Sequence, residues 1–141
     1  MATYNKFQSF VEAVAEKQHN LGSDTLKVYL SNTTPNASNM TVKADLAEIS
    51  AGNGYTAGGN TATQTSSAQT GGIYKLVLAD PATWVATGGS IGPFRYAVLY
   101  NDTATGDPLI AWWDYGSAIT LNSGDTFTVD FDPTTGVLTI Q

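Results

Sequence analysis

Hydrophobic and polar positions follow two periods along this chain, and the change falls near Gly22. Before it, Tyr4, Phe7, Phe10, Val11 and Val14 recur three and four apart. That spacing puts them on one face of a helix, opposite Asn5, Gln8, Glu12 and Glu16. The pattern predicts a helix over residues 3–20, with Thr3 as N-cap and Gly22 as stop. An aromatic stripe must dock on something: this chain's own sheet or a neighbouring subunit.

After Gly22 the period is two. Leu26, Val28 and Leu30 alternate with Lys27 and Tyr29, which predicts a half-buried strand over 25–31. Residues 32–41 carry Asn32, Pro35, Asn36, Ser38 and Asn39 and read as a turn-forming loop. Residues 42–50 fit a short strand or a single helical turn. Residues 51–72 are glycine-bracketed and rich in Thr, Ser and Gln, with Thr61, Thr63 and Thr65 alternating. So little apolar surface implies an exposed or edge strand, either a surface excursion or a segment ordered by a partner.

From residue 73 the strand signal is continuous. Strands are predicted at 73–78, around Trp84, at 94–100 and at 109–113. Ile119 and Leu121 continue the series, Phe127, Val129 and Phe131 alternate with polar neighbours, and 137–140 closes it. Asp132 to Gly136 is read as a hairpin turn between the last two. One helix followed by many short strands predicts a mainly β chain: an antiparallel β-sandwich or jelly roll with one N-terminal α-helix. Residues 1–141 are read as one domain, with the helix at 3–20, the sandwich at 25–141 and the excursion at 51–72.

Composition narrows the function classes. The 141 residues include no Cys and one His, and 12 acidic against 6 basic residues give a net charge of −6. No disulfide framework, thiol nucleophile or multi-histidine metal site is available, so neither metal nor cofactor is expected. Few scattered cations on an acidic chain argue against nucleic acid. No apolar run reaches the roughly 20 residues of a membrane helix. Met1 to Phe10 lacks the apolar core of a signal peptide. A binding or structural module fits better than an enzyme.

Individual candidates sort the same way. His19 lies at a polar helix end, where the helix dipole favours a cation. Asp130 and Asp132 share a strand face and could bind calcium or work as acid and base, but Asp132 before Pro133 reads as a turn residue. Asp102 and Asp107 flank another turn. The glycines at 52, 54, 58 and 59 do not open a helix after a strand, as a phosphate cradle requires. Sequons at Asn32, Asn36, Asn39 and Asn101 follow from an Asn/Thr-rich composition. The aromatic group is the most suggestive. Trp84, Trp112, Trp113, Tyr55 and Tyr115 are candidate partner-contact or sugar-stacking residues, and adjacent Trp112 and Trp113 must point to opposite faces of a strand.

Several segments together resemble a known group. These are Tyr4-Asn5-Lys6-Phe7, Leu21 to Val28, Ala51-Gly52-Asn53-Gly54-Tyr55, Gly92 to Asn101, Trp112-Trp113-Asp114-Tyr115-Gly116 and Phe127 to Phe131. They resemble small virion proteins of tailed bacteriophages, over nearly the whole chain. The resemblance implies a capsid decoration, or cement, protein on the outer surface of the assembled head. It would be made in the host cytoplasm, bind the major capsid protein and form a homo-dimer or homo-trimer. It implies no catalytic residue. The rival expectations are a tail or fibre component that binds host glycans through exposed aromatics, and a small hydrolase using Asp114, Asp130 and Asp132. Loops 32–41 and 51–72 are the parts expected to reach a neighbour.

Overall fold

A computed structural model describes residues 2–141. The chain is mainly β, with antiparallel sheets and one α-helix, as the periodicity predicts. In order the elements are β1 (Asn5–Lys6), α1 (Ser9–Ala15), β2 (Leu26–Ser31), a 3-10 turn (Lys43–Asp45), β3 (Asn60–Thr61), β4 (Gln64–Thr70), β5 (Ile73–Leu78), β6 (Trp84–Val85), β7 (Ile91–Asn101), β8 (Leu109–Leu121), β9 (Thr126–Phe127) and β10 (Leu138–Ile140). They form a five-stranded sheet in the order β1-β8-β7-β2-β3, a three-stranded sheet β10-β5-β4, and the pair β6-β9.

One core cluster joins all three sheets. Leu26, Val28 and Leu30 of β2, with Ala97 and Leu99 of β7, pack with Leu76 and Leu78 of β5, Trp84 of β6 and Leu138 of β10. A second cluster lies on the other face of the large sheet, where Tyr29, Val98, Tyr100 and Leu109 meet Phe7 and Leu46. Tyr29 is therefore fully buried, and β2 is buried on both faces rather than half-buried. The reason is local: the loop after β2 folds back, and the Tyr29 hydroxyl donates to Leu46 O at 2.9 Å. The part of this segment around Leu46 covers the sheet, while most of residues 32–41 is exposed. Within 42–50 the helical-turn alternative is the one formed, with Asp45 Oδ2 accepting from the Thr41 and Val42 amides.

The helix is shorter than the predicted 3–20. Asn5 and Lys6 pair with Trp112 and Ala111 of β8, so the chain is extended there. Phe7 N–H then donates to Ile110 O, and α1 starts only at Ser9. It ends well before Gly22. Lys17 adopts φ 64°, its amide donates to Val14 O at 3.3 Å, and the Gln18 amide donates to Ala13 O at 2.9 Å. That is a Schellman closure with lysine in the left-handed position that glycine usually takes. The helix packs on β8 of its own sheet, burying Phe10 and Ala13 and leaving Val11 exposed.

The end of the chain differs as well. The Asp132 to Gly136 turn forms, with Gly136 N–H donating to Asp132 O at 3.0 Å and Gly136 at φ 77°. It does not join a hairpin. β10 pairs with β5, Leu138 opposite Leu76, so the chain crosses from the β6-β9 pair to the three-stranded sheet. Burying Leu138 against Leu76 is what the crossing gains.

Candidate functional site

The site begins with an irregularity between β7 and β8. Tyr96 faces Asp114 and Phe94 faces Ile119, so β8 advances five residues while β7 advances two. The extra residues form a bulge, a device common beside functional sites. Gly116 sits in it at φ 106°, a conformation that costs glycine little. Arg95 locks its base: Nε donates to Asp114 Oδ1 at 2.8 Å and a terminal nitrogen donates to Oδ2 at 2.9 Å. The Gly116 amide donates to the same Oδ1 at 2.8 Å. The Arg95 guanidinium, then the Gly116 N–H, hold the Asp114 carboxyl below the usual carboxylate range. The bulge turns Tyr115 outward, 57% exposed.

Tyr115 stands at the rim of an open groove of about 510 Å³. One wall is the sheet face carrying Tyr4, Phe94 and Trp113; the other is the segment from Phe127 to Phe131. Tyr4 meets Trp113 edge-on at 5.9 Å, and Trp113 meets Phe131 at 5.3 Å. Phe127 lies 4.9 Å from Phe94 and 6.0 Å from Tyr115. Burial pushes the Tyr4 hydroxyl up to about 12, so it stays neutral at all physiological pH. Arg95, Asp130 and Asp132 add charge to this apolar lining. The result is a preformed aromatic groove with a polar edge, suited to holding a partner segment or a flat ligand.

The five aromatic candidates divide cleanly. Trp113 and Tyr115 line the groove. Trp112 points to the opposite face, 4.6 Å from Phe7, as the strand period requires. Trp84 and Tyr55 are buried core residues 6.4 Å apart. The Tyr55 hydroxyl donates to Glu48 Oε1 and accepts from the Leu30 amide. As surface contacts, Trp84 and Tyr55 are corrected: each fills a space under the loops that the aromatic count alone cannot locate. Sequence reasoning missed Tyr4, Phe94 and Arg95. The available signal was Gly116 within a strand pattern, which marks a bulge.

His19, Asn101 and Asp132 are held by hydrogen bonds within the fold. His19 is buried, its ring 5.3 Å from Phe10. With α1 ending at Ala15, His19 lies beyond the helix terminus, and burial lowers its pKa although Asp24 partly offsets this. Asn101 fixes the tautomer. Its Oδ1 accepts from the Thr103 and Ala104 amides, so its Nδ2 is the donor to Asp24 Oδ2 at 2.7 Å and to His19 Nδ1 at 3.0 Å. The Asn101 sequon is thus inaccessible in the folded chain. Asp132 caps its own turn, Oδ1 accepting from the Thr134 amide at 2.7 Å. Asp130 is exposed.

Among the described residues no cluster of three or more metal-ligating side chains occurs, and no helix is long and apolar enough to cross a membrane. No protein-family profile, curated protein or solved structure matches the chain.

Proposed function

We propose that this chain is a non-enzymatic decoration protein of a tailed bacteriophage, binding the outer surface of the assembled head and stabilising contacts between major capsid subunits. The groove at Trp113 and Tyr115 is the observation that carries the reading. Trp, Tyr and Arg are the residue types that dominate protein interfaces, and here they surround an apolar floor with a charged rim. Binding the assembled shell but not free subunits stabilises the shell by mass action. The net charge of −6 keeps such a protein soluble and away from packaged DNA. The test is cosedimentation of purified protein with emptied heads, with cryo-electron maps of the virion locating it on the shell.

The same groove favours one second reading, a tail or fibre component that stacks host glycans on Trp113 and Tyr115. The exposure of the Tyr115 ring beside the Arg95–Asp114 pair supports it, since sugars need both a flat apolar platform and planar polar partners. A glycan array run with wild type, Trp113→Ala and Tyr115→Ala separates the two. Head binding without glycan retention favours the capsid role, and the reverse favours the tail role.

A further inference from the structure

Protein sheets manage their open edges by keeping them short, charged or covered. The short solution appears at most edges here: β1, β3, β6 and β9 are two residues each, and β10 is three. β4 is different. It is a seven-residue edge strand, exposed along Thr65 to Thr70, with β5 on one side only. A register irregularity between Gln64 and Ser66 confines the regular ladder to Ser66–Thr70. Among the described residues, those five have no backbone hydrogen-bond partner other than β5.

The charge pattern around this edge is equally unusual. No Asp, Glu, Lys or Arg occurs between Glu48 and Lys75 in a chain of net charge −6. The strand itself reads Gln-Thr-Ser-Ser-Ala-Gln-Thr, with no proline or lysine gatekeeper. In a two-fold antiparallel pair each residue near the axis meets its own counterpart or a close neighbour. Here no charge meets its copy, whichever residue lies on the axis. Ser and Thr opposite one another pair favourably across strands. An acidic monomer that repels its copies elsewhere is uncharged along this seven-residue edge strand, whose outward ladder groups are free.

We propose that β4 pairs antiparallel with β4 of a second copy, joining two three-stranded sheets into one continuous six-stranded sheet. The inference is independent of what the aromatic groove binds. The pairing area is small, so the dimer is concentration-dependent in solution.

The test uses the intact chain in sedimentation equilibrium over a concentration series. Wild type forms a dimer at high concentration. Ser66→Lys with Ala68→Lys adds cations beside Lys75, which pairs with Ala68, and weakens the dimer at least about tenfold. Its melting temperature stays near wild type, because lysines on an exposed edge leave the core untouched. Ser66→Thr with Ala68→Thr keeps the dimer. Because the chain has no Cys, a second readout is direct. Under oxidation Ala68→Cys gives a disulfide-linked dimer, and Ser123→Cys in a remote turn does not. A wild type that stays monomeric to about 1 mM overturns the proposal. So does a dimer or larger ring indifferent to the two lysines, or equal cross-linking at both cysteines.

Discussion

Trp112 and Trp113, adjacent on β8, serve opposite faces of one sheet: Trp112 lies 4.6 Å from Phe7 in the loop-covered core, and Trp113 lies 5.3 Å from Phe131 in the groove. Their replacements should separate stability from binding. Trp112→Ala removes packing in the second core cluster and should cost about 3 kcal/mol by denaturant unfolding. Tyr115→Ala, beside Trp113 at the exposed rim, should leave unfolding within about 0.5 kcal/mol of wild type and reduce partner binding. Equal effects on stability would show that the rim is not a distinct surface.

The Arg95–Asp114 pair should matter through the bulge it holds. Asp114→Ala frees the Gly116 amide and the guanidinium, so Tyr115 loses its fixed position. The expected result is weaker binding with little change in melting temperature, since exposed ion pairs contribute little to stability. Binding equal to wild type would mean that the lock is incidental.

Lys17 carries avoidable strain. A non-glycine residue in the left-handed region costs roughly 1 kcal/mol, and Lys17 sits there at φ 64° to close α1. Lys17→Gly should stabilise the protein by about 0.5–1 kcal/mol, read as a raised denaturant midpoint with unchanged slope. A loss of stability would mean that the lysine side chain contributes more than its backbone costs.

His19 gives the protein a pH dependence of definite sign. Its folded pKa lies below the unfolded value of about 6.5 because the ring is buried, with Asp24 opposing the shift. Between those two values the unfolded chain binds the extra proton. Stability is therefore fully present above about pH 6.5 and falls as pH drops toward the folded pKa. His19 is the only histidine, and the lowered carboxyls of Asp45, Asp114 and Asp132 titrate at lower pH. Melting temperature from pH 7.5 to 5.5 should decline in wild type and flatten in His19→Gln. A flat wild-type profile would contradict the buried, neutral ring.

Asn101 ties the same region together. It is fully buried and accepts two backbone amides while donating to His19 and Asp24. Asn101→Ala leaves these partners unpaired and should cost about 3 kcal/mol in denaturant unfolding. A cost below about 1 kcal/mol would mean that water replaces the amide.

The class of fold was legible because β2 alternates with a period of two and because the apolar runs that form β5 and β7 are short and bounded by turn residues. The split of Trp112 from Trp113 followed from that period alone. What escaped the sequence was long-range. Tyr4 and Phe7 have helical spacing but are placed by β1 pairing with β8, a contact across about a hundred residues. Tyr29 has the spacing of a solvent-facing residue, and it is buried because the segment after β2 folds back to place Leu46 against it. The groove depends on the segment from Thr128 to Phe131 leaving the β6-β9 pair toward β10, and no local pattern encodes that crossing. Arg95 and Asp114 are far apart in sequence and unremarkable singly, and they acquire meaning only through the register shift between β7 and β8.

Whether the chain decorates the shell is decided by saturation binding of purified protein to emptied heads, with wild type and Tyr115→Ala in parallel. Wild type should bind saturably at a fixed ratio to the major capsid protein, and Tyr115→Ala should weaken that binding at least about tenfold. Absence of wild-type binding, together with no density for the chain on the shell of the virion, would contradict it.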